Sequence, residues 1–397
     1  MNILIAFDKY KGALDASEAC KIAENVIRET RPADTSEVTP LTDGGEGFAS
    51  ILASVLGGDL RTISVPGPRF EPVDGRFAIV DGSRIPEAAW KRLNLPKSLA
   101  GQPIGIVEMA SASGYECLEE TERDPWQTTT IGTGTLMKEA VSAGAKAILL
   151  GIGGSATNDC GVGALEALGV CYYDQKLQEL SNVVPDVFRK ITTVGSTSHL
   201  LDTFPPVRIA CDVTNPLLGE NGATRIFGPQ KGLKEADTDR MERTMRKMGT
   251  RLLGLFGRNP AEWDTLMDEP GAGAAGGIGF ALRHALPDSQ FVEGFPLVAD
   301  LLDLPSRIRA ADWILTGEGR LDSSSLSGKG PVGLLRLAEP TKRVLILAGS
   351  VEESAVRQLK QAHPNLEAIP VSDPAWPLEK ALAETGQSLE RALREKL

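Results

Sequence analysis

Two apolar runs at opposite ends of the chain, residues 2–7 (NILIAF) and 312–316 (DWILT), each pass into a glycine-bearing loop and then into a helical pattern. The first is followed by a loop from Asp8 to Leu14 and by a helix whose apolar face is Ala16, Ala19, Cys20, Ala23, Val26 and Ile27, with Asp15 and Glu18 spaced as a capping box. The second is followed by a helix at 331–339, a strand at 343–348, a helix at 352–362, a strand at 367–371 and a long amphipathic helix from Leu378 to Leu393. Strands alternating with helices predict a parallel, doubly wound sheet, because a parallel pair needs a crossover that a helix supplies. The N-terminal unit completes that sheet, so the domain is split in sequence. Residues 1–65 and 295–397 are expected to form a Rossmann- or flavodoxin-like α/β domain, and residues 66–294 an inserted α/β domain. The first crossing is placed at the proline-rich stretch Pro66 to Pro103. The insert carries its own alternation: helix 136–143, strand 147–152, helix 160–168, strand 207–212 and a charged helix around 237–253. The expected active site is the cleft between the two domains.

A chain of 397 residues is long enough for two domains. Its net charge of -11 leaves no broad basic field to neutralise phosphates, which argues against a nucleic acid or an anionic membrane as partner. The five cysteines, at 20, 117, 160, 171 and 211, form no C-x-x-C pair and are odd in number, which suits a reducing compartment and packing roles. The apolar start is too short for a signal peptide and no stretch approaches a membrane span, so a cytoplasmic protein is expected. The 42 glycines exceed the usual share of about 7% and call for a reason.

They gather in loops that also carry charge. In "GIGGSATNDCG", residues 151–161, the loop stands between a strand and a helix, where amides freed by Gly153 and Gly154 at Ser155 would face a phosphate; a plain tight turn is the alternative, and the strand-to-helix context favours the first. In "TIGTGT", residues 130–135, helix capping by Thr133 accounts for the pattern as well as ligand contact does. "GAGAAGG", residues 271–277, fits G-x-G-x-x-G but follows Asp268-Glu269-Pro270 and not an apolar strand, so the dinucleotide reading fails its context; a glycine-rich entry to the helix 278–286, near a ligand, survives. "SGKG", residues 327–330, lacks the Ser or Thr after Lys329 and the upstream glycine of a Walker motif, yet Lys329 can donate to phosphate as a point charge. Carboxylates stand in the same kind of loop: Asp8 in "DKYKG", Asp43 and Glu46 in "TDGGEG", Asp212 in "CDVTNP", Glu318 and Asp322 in "TGEGRLD". Any one of them could merely cap a helix; together, beside glycine and past strand ends, they mark a ligand site. His199, His284 and His363 show no metal-ligand spacing, which disfavours a zinc hydrolase or a histidine triad. Lysines beside glycines, Lys11, Lys231 and Lys329, with carboxylates able to hold Mg²⁺, match phosphoryl transfer.

Six stretches together resemble the type I glycerate kinase family: "DKYKGAL" at 8–14, "TDGGEG" at 42–47, "GIGGSATNDCGVGALEALG" at 151–169, "CDVTNPLLGENGATRIFGPQKG" at 211–232, "PGAGAAGGIG" at 270–279 and "TGEGRLDSSSLSGKGP" at 316–331. They keep the family order and span nearly the whole chain, with departures at Lys9, Tyr10, Ala13, Cys160 and Ser324. The resemblance implies phosphorylation of D-glycerate at its 2-hydroxyl, with ATP and Mg²⁺, on a two-domain α/β fold; a homodimer is left open. Carried onto this sequence, it makes Asp8 or Asp43 the group that orients or deprotonates the hydroxyl and Lys11 the group that stabilises phosphoryl charge. Asp212, Glu318 and Asp322 become candidates for Mg²⁺. Gly153, Gly154, Ser155 and Gly273 become candidates for phosphate or substrate carboxylate, joined by Asn158, Lys231, Ser327 and Lys329. The rival readings are a kinase or ATP-dependent ligase for another small hydroxy acid, and a non-catalytic nucleotide sensor.

Overall fold

The computed structural model describes residues 1–397 apart from Lys329, and of Ser327 it describes only the backbone. The chain divides into two compact units, one made of residues 1–43 and 295–397, the other of residues 44–294.

The first unit is built on a five-stranded sheet in which every neighbouring pair is parallel. Its first strand, Asn2–Phe7, pairs on one side with the edge strand Thr35–Val38 and on the other with the central strand Trp313–Leu321, in the register Ile3 to Trp313 and Phe7 to Gly317. Arg343–Val351 and Leu366–Pro370 continue outward from there. Counted in chain order within the unit, the strands lie 2-1-3-4-5, the flavodoxin-like arrangement, so the winding reverses between Asn2–Phe7 and Trp313–Leu321. The strand Asn2–Phe7 reads as a continuous apolar run because it is covered on both faces.

On one face lies the helix Ala16–Thr30, started by the capping box: Asp15 accepts from the Glu18 amide at 2.8 Å and Glu18 accepts from the Asp15 amide at 3.2 Å. The helix buries Ala16, Ala19, Cys20, Ala23, Val26 and Ile27, and packs with Ile3, Ile5, Phe7, Leu315, Leu345, Leu389 and Leu393 into one apolar cluster. The C-terminal segment differs from the single helix that its periodicity predicts. It forms two, Leu378–Ala383 and Thr385–Lys396, interrupted at Glu384. There the Thr385 hydroxyl donates back to the Ala381 carbonyl at 2.8 Å, a side-chain bond that bends helices.

The second unit holds a six-stranded sheet. Ser289–Val292, Val207–Ala210, Ala147–Gly151 and Pro103–Glu108 run parallel in that spatial order, and Pro72–Asp81 and Asp59–Pro66 then add antiparallel to the edge. A second, three-stranded sheet of Val170–Tyr173, Glu179–Leu180 and Thr193–Ser196 was not foreseen from the sequence. The first crossing between units falls between Asp43 and Gly44 and not at residue 66, because Asp59–Pro66 belongs to the second unit's sheet. Three of the prolines that suggested broken structure stand at strand ends, where a missing amide costs no interior ladder bond: Pro66 faces Pro72 across the hairpin, and Pro103 opens its strand. All five cysteines are free. Among the described residues no helix is long and apolar enough to cross a membrane.

Among the described residues, the exposed Asp15 side chain has no hydrogen bond beyond its own helix start. Asp15→Ala is therefore expected to lower unfolding stability by about 1 kcal/mol with turnover unchanged. A denaturation midpoint equal to that of the parent protein would remove the cap from the account of this helix.

Candidate active site

In an open α/β sheet, ligands bind beyond the carboxyl ends of the strands at the point where the winding reverses. In the first unit that point carries Asp8 and Glu318. The Asp8 amide donates to the Gly317 carbonyl at 2.9 Å, which continues the pairing of the first strand with Trp313–Leu321 one residue past its end. Asp8 Oδ1 accepts from the Lys9 amide at 2.7 Å. A Cβ on Gly330, the first residue of the helix Gly330–Leu337, would stand 2.7 Å from Asp8 Oδ2. The Asp8 carboxylate thus lies against a helix start, where backbone dipoles favour negative charge. On the other side of the first strand, the amides of Thr39 and Leu41 donate to the carbonyls of Ile5 and Phe7, both at 2.8 Å. They carry the segment past Thr35–Val38 in the direction of the same strand ends, and Asp43 follows it.

Glycines let the loops approach this edge. At Gly317 a Cβ would meet the Leu347 carbonyl at 2.0 Å and the Tyr10 hydroxyl at 2.6 Å. That hydroxyl is itself buried and donates to the Leu347 carbonyl at 2.7 Å, locking the "DKYKG" turn onto the sheet. The glycine of "TGEG" is therefore explained by backbone approach.

Glu318, in the last part of its strand, has a buried Oε1 with no hydrogen-bond partner among the described residues. Burial pushes its carboxyl up to about 8, and the negative charges of Asp8 and Asp322 push the same way. Asp322 is held differently: Oδ1 accepts from the Ser324 amide at 2.8 Å and from the Ser324 hydroxyl at 2.6 Å, and Oδ2 pairs with Arg320 Nε at 2.9 Å. The Ser324 hydroxyl is the main cause of its lowered pKa. Asp322 shapes the loop that follows the strand. Lys329 lies outside the described residues, as does the side chain of Ser327.

In the second unit the loop 151–161 follows Ala147–Gly151. The Gly153 amide donates to the Gly44 carbonyl at 3.0 Å, and the Ala156 amide to the Ser113 carbonyl at 2.9 Å. The Gly154 and Ser155 amides have no acceptor among the described residues, and Gly154 is exposed. The Gly154 amide, on the exposed side of the loop, is the most accessible to an anion. Lys231 is buried beneath it: Nζ donates to Ser155 Oγ at 2.9 Å and to the Thr157 carbonyl at 2.6 Å. Burial pulls its pKa down to about 7, and the nearby Asp159 carboxylate opposes that. Asn158, also buried, donates to Thr224 Oγ1 at 3.1 Å. Lys231 and Asn158 brace the loop from within. Gly273 is likewise buried, with its amide donated to the Asn215 carbonyl at 2.9 Å, so it packs its loop and offers that amide to no ligand. Thr133 does not cap its helix; it lies within Ile131–Ser142 and donates to Ser113 Oγ at 2.8 Å. Asp212 is half-buried, two residues beyond Val207–Ala210.

Two buried carboxylates that the sequence reading passed over anchor these loops. Asp159 accepts from the Thr130 amide and hydroxyl, both at 2.8 Å, and from the Gly161 and Gly163 amides at 3.0 and 3.1 Å. Glu108 ends its strand and accepts from the Ala49 amide at 3.0 Å. A charged residue closing an otherwise apolar run, as in "IGIVE", was the available signal for Glu108.

Comparison with known proteins agrees with the motifs. The model of the glycerate kinase family matches residues 3–396. Over 89% of the chain and 86% of the relative, the protein is 36% identical to the glycerate 2-kinase of Escherichia coli strain K12. It is 33% identical to the glycerate kinase of Bacillus subtilis strain 168, over 100% of the chain and 96% of that protein. A crystal structure described as a candidate glycerate kinase 2 from Salmonella typhimurium LT2 superposes with a TM-score of 0.71 at 31% identity, covering 100% of this chain and 97% of the other. The chain belongs to the glycerate kinase family.

The raised pKa of Glu318 has a consequence for stability. The neutral carboxyl is the form that the fold tolerates, so its contribution is full below the ordinary glutamate range near 4.5 and is lost as pH rises toward 8. Without added metal or nucleotide, Glu318→Gln is expected to unfold like the parent protein near pH 4 and to exceed it increasingly up to pH 8, by on the order of 1–3 kcal/mol there. Urea titrations across that range check it; a gap that does not change with pH would refute the assignment.

Proposed function

We propose that the protein transfers the γ-phosphoryl group of ATP to the 2-hydroxyl of D-glycerate, giving 2-phosphoglycerate and ADP. The observation that carries this reading is the placement of Asp8 and Glu318 side by side at the winding reversal of a parallel sheet, in a chain of the glycerate kinase family. Phosphoryl transfer asks mainly for positioning and charge stabilisation, which this arrangement supplies. Asp8 accepts the proton of the attacking hydroxyl, and Asp43 orients that hydroxyl. The new oxygen–phosphorus bond forms as the bond from the γ-phosphorus to the bridging oxygen of ADP breaks. Lys11 faces the charge that develops on the transferring group. In the second unit, the Gly154 and Ser155 amides take an anionic oxygen of substrate or nucleotide.

Among the described residues no group of three or more His, Cys, Asp or Glu side chains is gathered for a metal. Mg²⁺ does not require one, since it is commonly held by one or two carboxylates together with substrate phosphates and water. The buried Glu318 Oε1, without a hydrogen-bond partner among the described residues, fits such a donor, with Asp8 as its neighbour. Bound with the nucleotide, Mg²⁺ would neutralise phosphate charge and remove the penalty on ionised Glu318.

NMR identification of the product formed from D-glycerate and Mg-ATP tests the reading. The expected product is 2-phosphoglycerate; 3-phosphoglycerate would overturn the regiochemistry, and no phosphorylated product would overturn the activity. Asp8→Asn, nearly isosteric, is expected to keep the fold and lose at least ~10²-fold in kcat. Near-normal turnover would take Asp8 out of the role of base.

A further inference from the structure

The helix Phe48–Leu56 begins at Gly47, which has no side chain to cap it. A buried carboxylate from another element takes that place: Glu108 Oε2 accepts from the Ala49 amide at 3.0 Å. Glu108 is fully buried, burial raises its pKa, and its Oε1 finds no partner among the described residues. A buried carboxyl left half-satisfied is a costly way to close a helix, and it stands where a local cap does not fit, because Gly47 at φ 80 is left-handed and a Cβ there would meet Ile51 Cδ1 at 3.0 Å. What Glu108 gains by its position is a link between elements. It ends the strand Pro103–Glu108 directly opposite Gly151, and its own carbonyl accepts from Ser111 Oγ at 2.8 Å. The segment it holds, 44–48, is seated backbone to backbone on the loop after Gly151. The Gly153 amide donates to the Gly44 carbonyl at 3.0 Å, and a Cβ on Gly153 would stand 2.8 Å from Gly45 Cα and 2.9 Å from Gly45 N. Asp43 is joined to Gly44 by the next peptide bond.

We propose that Glu108 is a positioning residue for the reaction: with the Gly44–Gly153 contact, it clamps both ends of the "GGEG" segment and so fixes the direction in which the chain delivers Asp43. Glu108 touches neither substrate nor nucleotide. The inference rests on the reading of Asp43 given above.

Its test is a double-mutant cycle. Glu108→Gln keeps the shape and one acceptor oxygen but removes the charge that the Ala49 amide and the helix start draw on. It is expected to lower kcat at least ~10-fold, with KM for ATP within about 2-fold and an unchanged far-UV spectrum. In the Asp43→Asn background the same change is expected to cost less than about 2-fold more, because a brace that acts through Asp43 has nothing left to position. Gly153→Ala, which pushes on the segment from its other end, should reproduce both results and serves if the Glu108 variant does not fold. Losses that multiply in the double variants, while Asp43→Asn alone is impaired, overturn the brace. So does kcat within about 2-fold of the parent protein for the single variants. Near-normal kcat of Asp43→Asn alone overturns the reading of Asp43 and, with it, this inference.

Discussion

The pairing of Asn2–Phe7 with Trp313–Leu321 is the constraint on which the first unit depends. It sets two segments some three hundred residues apart side by side and creates the winding reversal at which Asp8 and Glu318 meet. Without it, the first strand and its helix have no sheet to join, and the C-terminal strands lack the neighbour that buries their inner edge. Cross-links at the strand ends hold the register: the Asn2 amide donates to Asp312 Oδ2 and the Asp312 amide to the Asn2 carbonyl, both at 2.8 Å. Closing so long a loop costs entropy before any contact rewards it, so this sheet is a natural late step in folding. Residues 44–294 have their own sheet and apolar core and do not wait for it.

The electrostatics of the first unit follow from that pairing. A parallel sheet brings strand ends of like direction to one edge, and here the residues that leave those ends are acidic. Three carboxylates near one another, one of them largely buried, cannot all be charged without cost, and Glu318 bears most of it. Asp322 escapes because Ser324 and Arg320 satisfy it. The difference between two acidic groups four residues apart, one near the strand's end and one just past it, is thus a matter of partners.

Much of this was legible in the sequence. The buried face of Ala16–Thr30 and its capping box follow from spacing alone, and so does the parallel sheet, because the helical and strand periods alternate too regularly for another architecture. The hairpin Asp59–Pro66 with Pro72–Asp81 was hidden, since prolines read as breakers until their place at strand ends is known. Around the candidate site, the loops were legible and the duties of their residues were not. Glycine in a loop looks the same whether its amide is left without an acceptor among the described residues, as at Gly154, or it lets two backbones touch, as at Gly153. Lys231 stands in a motif that reads as a phosphate contact, yet it is buried and two of its ammonium's three donors go to Ser155 and Thr157, a placement that no local pattern encodes.

Cys160 illustrates what such packing asks of variation. It adopts φ 56 in the left-handed region, with its amide donated to the Gly276 carbonyl at 2.9 Å. A side chain is tolerated there, whereas at Gly153 the space for a Cβ is already taken by the neighbouring main chain. The glycine-rich loops therefore contain two kinds of site, one that accepts drift at a conformational penalty and one that forbids it sterically. Divergence toward other hydroxy acids would have to run through the first kind and through the side chains around the loops, leaving the backbone contacts as the unchanging frame.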